Sequence, residues 1–435
     1  MKNLDLPHLL DLAQKAGADS AEAYQTTGLG RSVQFEANRL KQIETGEEEG
    51  TALRVWYQGR PGLAVAQGSA DPQALVEKAI ALSAFGSIEA PELCTQGPEF
   101  AEKRIDRIAV ESLIAFGQEA IAAVRDRYPQ AICSGGYSEE VSSVRLINTT
   151  GLDVHYTSHS LDGYLGAEWT RGDDFLQVYE GETVLGTANP QQLAALVLQK
   201  LEWAAQSSAV PTATMPVLFT TKAVDTLLGA VMSALNGRQV IQQASPWFAL
   251  IGEQVLSPLL TLSQDPNRIP YETPFDDEGT PTVALDFVKA GILRTFYGDR
   301  ATSRQLGIAP FGNGFRGDLG SYPRPGLFNL VIAPGNIDLS TLIAKMGDGL
   351  IVDQVLGSGA SISGEFSVNI DLGYHVVAGE VVGRVKDTMI AGNAYECLKN
   401  IVALSSEQSW EGSLLTPSFL LESVAVTART SPLSS

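Results

Sequence analysis

Residues 365–385 read EFSVNIDLGYHVVAGEVVGRV, and this stretch predicts three successive β-strands at residues 365–370, 373–377 and 381–385. Further strands are predicted at residues 282–288, 327–333 and 350–356. Gly, Pro and Asn separate these runs about every eight to twelve residues, a spacing typical of β-barrels and β-sandwiches. The sequence therefore predicts a β-rich C-terminal domain over residues 213–435.

The chain before this domain predicts the same order of elements twice: a helix, several antiparallel strands and a second helix. The predicted helices lie at residues 6–16 and 72–84 in the first unit and at residues 106–127 and 191–206 in the second. The two units span residues 1–104 and 105–208 and indicate a duplication. A break at residues 207–212 precedes the β-rich domain. We predict an α+β protein with a duplicated helix–strands–helix N-terminal region and a barrel- or sandwich-like C-terminal domain.

Composition excludes several classes of function. The chain has 435 residues, 44% hydrophobic and 18% charged, as expected for a folded protein of two or three domains. Its net charge of −20 argues against binding to nucleic acid or to anionic lipid, which requires a basic surface. No apolar run approaches the roughly 20 residues of a membrane span.

The N-terminus and the cysteines predict a cytoplasmic protein. No apolar run follows Lys2, so we expect no signal peptide. The three cysteines, Cys94, Cys133 and Cys397, are widely spaced and predict free thiols rather than a disulfide framework or a zinc site.

Two acidic runs each allow a structural interpretation. Residues 47–50, Glu-Glu-Glu-Gly, predict a solvated turn between strands. Asp276, Asp277 and Glu278 stand beside a glycine and a proline, which favours a hairpin turn. The alternative for these three carboxylates is a role as general acid and base.

Histidine and glycine patterns predict no catalytic site of a known type. His155 and His159 are the one close histidine pair, but their segment predicts a strand, where residues four apart lie about 13 Å from each other. We therefore interpret them as exposed strand residues rather than as a metal pair. Residues 357–361, GSGAS, predict a tight turn, with a ligand-binding loop as the alternative. No nucleophile elbow, Walker A loop or dinucleotide fingerprint is present.

A series of segments nevertheless carries a resemblance that covers nearly the whole chain. They are Gly50–Val55, Phe275–Pro281, Gly291–Leu293, Gly312–Arg316, Asn329–Leu330 with Pro334–Gly335, Ile362–Ser367 and Ile390–Asn393. In this order and spacing the sequence resembles the TldD/PmbA family of metallopeptidases, to which the label modulator of DNA gyrase is also attached.

The resemblance implies that the catalytic metal site of the family is absent. Active members carry His-Glu-x-x-x-His on a helix, and a cysteine near the C-terminus completes the metal site. The matching positions here are Thr221, Lys222 and Thr226 on a helix predicted at residues 221–235, with Glu411 near the cysteine position. Two hydroxyls and an ammonium do not replace the histidine and glutamate groups of a catalytic zinc site. We predict no bound metal, no other cofactor and no peptidase activity of the chain alone.

By resemblance, the chain is similar to the PmbA/TldE branch, the non-catalytic subunit of a TldD/TldE metallopeptidase complex that cleaves unfolded or small peptides. The implied partner is a TldD-type subunit in a heterodimer. One alternative is a stand-alone homodimeric binding or scaffold protein, and another is an enzyme with an unrecognised site. For peptide binding, the candidate residues are Asn313 and Arg316 in a glycine-rich segment, followed by Glu365. The alternative for Asn313 and Arg316 is a solvated loop with a surface ion pair.

Overall fold

The computed structural model describes residues 4–98, 106–172 and 174–428. Within these residues, no helix combines the length and the apolar character needed to cross a membrane.

In residues 4–98, 106–172 and 174–203, the N-terminal part forms four helices and six strands. The helices are α1 (Leu6–Lys15), α2 (Pro72–Ser83), α3 (Val110–Arg127) and α4 (Pro190–Trp203). The strands are β1 (Ser20–Glu36), β2 (Arg39–Tyr57), β3 (Arg60–Gln67), β4 (Ile132–Asn148), β5 (Asp153–Arg171) and β6 (Asp174–Val184). They form one antiparallel sheet in the order β3-β2-β1-β4-β5-β6. Apolar residues of α1 and α2 are buried against one half of the sheet, and those of α3 and α4 against the other half.

The two predicted units thus contribute to a single sheet. Strand β1 of the first unit pairs along most of its length with β4 of the second. The predicted boundary at residues 104 and 105 lies outside the described residues. The division into two units therefore stays a prediction, while the alternation of helix and antiparallel strands is present in both halves.

The expected turn at residues 47–50 is wrong. These residues lie inside β2, where Glu48 pairs with Gly28 and Glu49 with Thr27 of β1. The reversal between β1 and β2 comes earlier, at Ala37, which like the residue after it has a positive φ. Pairing with a long neighbouring strand overrides the local preference of an acidic run for a turn.

Up to residue 428, where the described part of the chain ends, the C-terminal part contains five helices and thirteen strands, most of them short. The helices are α5 (Asp225–Leu235), α6 (Gly237–Ile241), α7 (Arg300–Leu306), α8 (Leu339–Met346) and α9 (Ala394–Lys399). The strands are β7 (Ala213–Phe219), β8 (Leu262–Gln264), β9 (Leu285–Lys289), β10 (Ile292–Leu293), β11 (Gly314–Phe315), β12 (Arg324–Pro325), β13 (Leu330–Ile332), β14 (Gly349–Leu356), β15 (Glu365–Val377), β16 (Glu380–Arg384), β17 (Thr388–Asn393), β18 (Ile401–Glu411) and β19 (Leu414–Ala428).

Five of these strands close into a barrel, which confirms the predicted fold class. Strands β7, β14, β15, β17 and β19 pair in this order, and β19 pairs again with β7. On one side of β7, Val217 and Phe219 share a buried cluster with helix α5. On the other side, Leu218 shares a cluster with Leu193 and Val197 of α4. The barrel is thereby packed directly against the N-terminal part, and this contact fixes the position of the functional site.

Helix α5 begins later than predicted. The sequence favours a helix from Thr221, but residues 221–224 form turns and the helix starts at Asp225. The carbonyl of Thr220 accepts hydrogen bonds from the amides of Ala223 and Val224, which closes this turn before the helix. The positions of the family metal motif therefore straddle the helix N-terminus.

Candidate cleft between the edge strand and the barrel

A cleft of about 500 Å³ lies where the N-terminal sheet meets the barrel. Its first wall consists of β6, the terminal strand of the six-stranded sheet, with the neighbouring parts of β1, β4 and β5. Its second wall consists of Lys222 and the end of β18. Among the residues that line it are Tyr164, Tyr179, Glu180, Lys222, Trp410 and Glu411.

Two of the four degenerate motif positions, Lys222 and Glu411, line this cleft, and Thr221 contacts it through Glu411. The Thr221 hydroxyl donates a hydrogen bond to Glu411 Oε1 at 3.1 Å. Lys222 Nζ lies 3.2 Å from Glu180 Oε1 and also donates to the carbonyl of Tyr179. Burial raises the pKa of Glu411, although the hydrogen bond from Thr221 acts in the opposite direction.

Thr226 is placed differently. It is buried in the first turn of α5 and is not among the residues that line the cleft. Its carbonyl accepts a hydrogen bond from the amide of Ala360 at 2.7 Å. Residues 357–361 thus belong to the loop between β14 and β15, and this loop packs against α5. The loop lies between strands, as predicted, but it is longer than the predicted tight turn.

The groups that meet at the cleft do not form a usual metal-binding set. Thr221 offers a hydroxyl, Lys222 an ammonium and Glu411 a carboxylate, whereas catalytic zinc takes three ligands from histidine, cysteine and carboxylate side chains. Across residues 4–98, 106–172 and 174–428, no group of three His, Cys, Asp or Glu side chains could hold an ion.

A buried ion cluster lies behind the Lys222 side of the cleft. Lys200 of α4 contacts Asp353 Oδ1 of β14 at 2.6 Å and also pairs with Glu180. The Thr220 hydroxyl donates to the same Asp353 oxygen at 3.0 Å. The pKa of Lys200 is raised overall. Burial lowers it, but the negative charges of Asp353 and Glu180 have the larger combined effect. The cluster joins the N-terminal part to the barrel by charge as well as by apolar packing.

The wall formed by the sheet is aromatic and open. Tyr164 and Tyr179 remain 49% and 48% exposed on neighbouring strands β5 and β6. Each pairs with a glycine across the strands, Tyr164 with Gly181 and Tyr179 with Gly166. Sequence reasoning did not select these tyrosines, because their strand pattern alone does not indicate which face stays uncovered.

Asn313 and Arg316, the predicted peptide-binding residues, lie away from this cleft. Asn313 is inside the C-terminal part, and Arg316 is at its contact with β1. Asn313 is fully buried, and its amide donates to Gln264 Oε1 at 3.0 Å and to the carbonyl of Gly326 at 2.9 Å. The Arg316 guanidinium is 3% exposed, contacts Glu22 Oε1 of β1 at 3.1 Å, and stacks on the Tyr24 ring. These contacts favour a structural role, and peptide binding by Asn313 and Arg316 stays a prediction. The alternative of a surface ion pair for Arg316 is wrong, because Arg316 is buried.

The carboxylates at positions 276–278 form a hairpin turn, as their glycine and proline neighbours predict. The amide of Asp276 donates to the carbonyl of Thr280, and the amide of Gly279 donates to the carbonyl of Asp276. The turn is buried against β1, and the Tyr24 hydroxyl donates to Asp277 Oδ1 at 2.9 Å. Burial raises the pKa of Asp276 to about 7 and that of Glu278 to about 8.

Glu365 and the histidine pair are separate from the cleft. Glu365 is exposed at the start of β15, accepts a hydrogen bond from Asn393 Nδ2 at 2.9 Å, and lines a second cleft of about 480 Å³. His155 and His159 both lie on β5, as predicted. His155 is exposed, but the expectation of exposure is wrong for His159, which is buried with Nε2 3.2 Å from Glu139 Oε1.

Comparison with known proteins identifies the family. Residues 212–428 match the PmbA/TldA metallopeptidase C-terminal domain, and residues 21–83 match PmbA/TldA metallopeptidase domain 1. The chain belongs to the PmbA/TldD metallopeptidase family.

Individual relatives extend over nearly the whole chain. Metalloprotease PmbA of Escherichia coli O157:H7 is 24% identical, with 94% of this chain and 92% of that protein covered. The structure of TldE from Thermococcus kodakarensis has a TM-score of 0.89 at 22% identity, covering 97% of this chain and 100% of that chain. A Thermotoga maritima structure described as a proposed modulator of a DNA gyrase has a TM-score of 0.85 at 25% identity, covering 97% of this chain and 99% of that chain.

Proposed function

We propose that this chain is the non-catalytic, PmbA/TldE-type subunit of a cytoplasmic peptidase complex, and that its cleft holds an extended peptide for cleavage by a TldD-type partner. The observation that carries the proposal is the cleft itself. Lys222 and Glu411 line a cavity beside the terminal strand β6, and Thr221 is hydrogen-bonded to Glu411, but these side chains are not those of a catalytic metal centre.

Strand addition to β6 is the binding mode that the geometry favours. Strand β6 ends the sheet and, among the described residues, pairs with β5. Its Phe175 and Tyr179 carbonyls accept hydrogen bonds from Arg384 and Lys222, so an extended chain that adds to this edge exchanges side-chain contacts for backbone pairing. Backbone pairing binds peptides with little dependence on sequence, which suits a subunit that handles unfolded substrates. Tyr164 and Tyr179 add aromatic contact area beside this edge.

A metal-free subunit contributes to proteolysis by enclosing and ordering the substrate. An enclosed cavity excludes bulk water and limits the geometries that a bound peptide adopts. Direct action on DNA is disfavoured by the net charge of −20.

Purification of the tagged chain from its native host tests the partnership. We expect mass spectrometry to identify a copurifying protein with an intact His-Glu-x-x-x-His motif, and the pair to cleave a labelled unfolded peptide that the tagged chain alone leaves intact. Recovery of a homodimer that does not stimulate a TldD-type protein would instead support the stand-alone binding protein.

A cleft substitution tests the role of the aromatic wall. In the reconstituted pair, Tyr164→Ala should raise the KM for an unfolded peptide by about fivefold, since roughly 1 kcal/mol of aromatic contact is removed. Phe85→Ala is the matched control, because Phe85 is 88% exposed and does not line the cleft. Equal KM values for both variants would contradict peptide binding at this wall.

A further inference from the structure

We propose that Lys222 is a latch on the open edge of β6, holding a backbone acceptor that an incoming peptide strand has to take over. The inference rests on the proposed function, because it concerns how a peptide gains access to the same cleft. The inference gives Lys222, which stands at the glutamate position of the family motif, control of the affinity for peptide.

The contacts of Lys222 place it across the cleft. Its ammonium donates to the carbonyl of Tyr179 on β6, lies 3.2 Å from Glu180 Oε1, and sits 3.8 Å from the centre of the Tyr179 ring. Lys222 belongs to the turn before α5, on the barrel side. The carbonyl that it binds therefore faces away from β5, on the side where a further strand would pair.

Release of Lys222 changes the charge balance beside β6. Glu180 keeps its ion pair with Lys200, but Glu180 and Asp353 then share that one cation. The interactions lost are the hydrogen bond to the Tyr179 carbonyl, the contact with its ring and one of two contacts to Glu180. A peptide N–H replaces the first of these directly, and the remaining charge imbalance favours the return of the lysine once the peptide leaves.

Burial of the Lys222 ammonium acts in favour of its release from the closed position. Burial and the neighbouring charge of Lys200 lower the pKa of Lys222, so the closed position disfavours the charged form of this side chain. The side chain is 11% exposed at the cleft, where Glu411 offers an alternative partner.

Cationic side chains also protect the β6 edge. Open sheet edges pair with other chains unless charged residues, especially lysine, protect them. Arg384 holds the Phe175 carbonyl and Lys222 holds the Tyr179 carbonyl, so Lys222 is the protecting cation at the part of β6 that lines the cleft.

Calorimetric titration of the purified chain tests the latch. The probe is a capped, uncharged peptide of alternating threonine and serine with the 11-residue length of β6. Lys222→Met frees the Tyr179 carbonyl, so we expect the Kd to fall by about fivefold, the equivalent of one backbone hydrogen bond. Lys222→Arg keeps a cation and should bind as weakly as the unsubstituted chain.

Two controls test whether the gain in peptide affinity comes from strand addition. Lys222→Ala should reproduce the effect and carries the test if the methionine variant does not fold. The same peptide with N-methyl groups at alternate residues lacks the pairing amides, so its affinity should not differ between the lysine and methionine proteins. Equal Kd values for the unmethylated peptide before and after loss of the lysine overturn the latch alone. Failure of that peptide to bind any variant overturns both the latch and strand addition at this cleft.

Discussion

One face of the N-terminal sheet is covered in one half and open in the other. The covered half lies around β1 and the adjoining ends of β4 and β5, where Tyr24 and Leu146 pack against Phe275 of the C-terminal domain. The open half lies around β6, where Tyr164 and Tyr179 of the same face stay half exposed and line the cleft. The two halves of one face thus differ in use, one joining the domains and the other lining the candidate cleft.

The difference lies in what meets each half. The covered half receives the turn at residues 276–278 together with Arg316, so buried charges join the domains there. The open half faces Lys222, whose ammonium spans the cleft without filling it. Substitutions in the covered half should therefore change the stability of the chain, whereas substitutions in the open half should change binding.

The largest expected effect is the loss of the buried guanidinium. Arg316→Ala leaves Glu22 with one cationic partner fewer in a buried setting, so the free energy of unfolding should fall by about 3–5 kcal/mol. Urea denaturation followed by tryptophan fluorescence measures the change. Arg324→Ala, at an exposed arginine, should cost less than about 0.5 kcal/mol. A loss below about 1 kcal/mol for Arg316→Ala would show that the covered half does not depend on this ion pair.

A pair of glycine substitutions compares the packing of the two halves. Gly279 has a φ of +74°, and a Cβ there would lie 2.4 Å from Leu152 Cδ2, so Gly279→Ala should destabilise the chain by about 2 kcal/mol or more. A Cβ on Gly181 would meet no atom closer than 3.5 Å, so Gly181→Ala should change stability by less than about 1 kcal/mol. Thermal unfolding of the two variants side by side measures the difference. Similar losses of stability would contradict an open half around β6.

Two tyrosine hydroxyls provide a finer test. Tyr24→Phe removes the hydrogen bond to Asp277 and should cost about 1.5 kcal/mol, because the acceptor is a buried carboxylate. Tyr164→Phe removes a hydroxyl from a half-exposed ring and should leave stability unchanged within about 0.5 kcal/mol. Denaturant midpoints at equal slope measure both values. A larger loss for Tyr164→Phe would reverse the assignment of the two halves.

The last test concerns pH, where the expected change per pH unit is smaller than the preceding losses. Burial and the charge of Asp276 raise the pKa of Glu278 to about 8 in the folded chain. The folded state then holds a proton that the unfolded state releases, so stability is present at low pH and falls as pH rises towards 8. Compared with Glu278→Gln, the unsubstituted chain should lose about 1 kcal/mol more per pH unit between roughly pH 6 and pH 8. Parallel stability curves for the two proteins would show that Glu278 is already ionised at pH 6.

Local signals in the sequence predicted where α2 and α4 begin to within one residue. The side chains of Asp71 and Asn189 cap α2 and α4 by accepting hydrogen bonds from amides of the first turn, and a proline follows each cap. Capping depends on a few neighbouring residues, so the sequence reveals it directly. The prediction of a turn at residues 47–50 was wrong because pairing with β1, rather than the local preference of these residues, sets the conformation of β2.

The sequence by itself determined the fold class, the family and the replacement of the catalytic motif at Thr221, Lys222, Thr226 and Glu411, because residue type, order and spacing are written along the chain. Only the tertiary structure decided that Lys222 spans a cleft to Tyr179 while Arg316 is buried at a domain contact. Burial and ion pairing depend on which distant segments meet, and a single sequence does not specify that information locally. Side chains of the same types, carboxylates and cations, therefore join the domains in one half of the sheet and line the candidate cleft in the other.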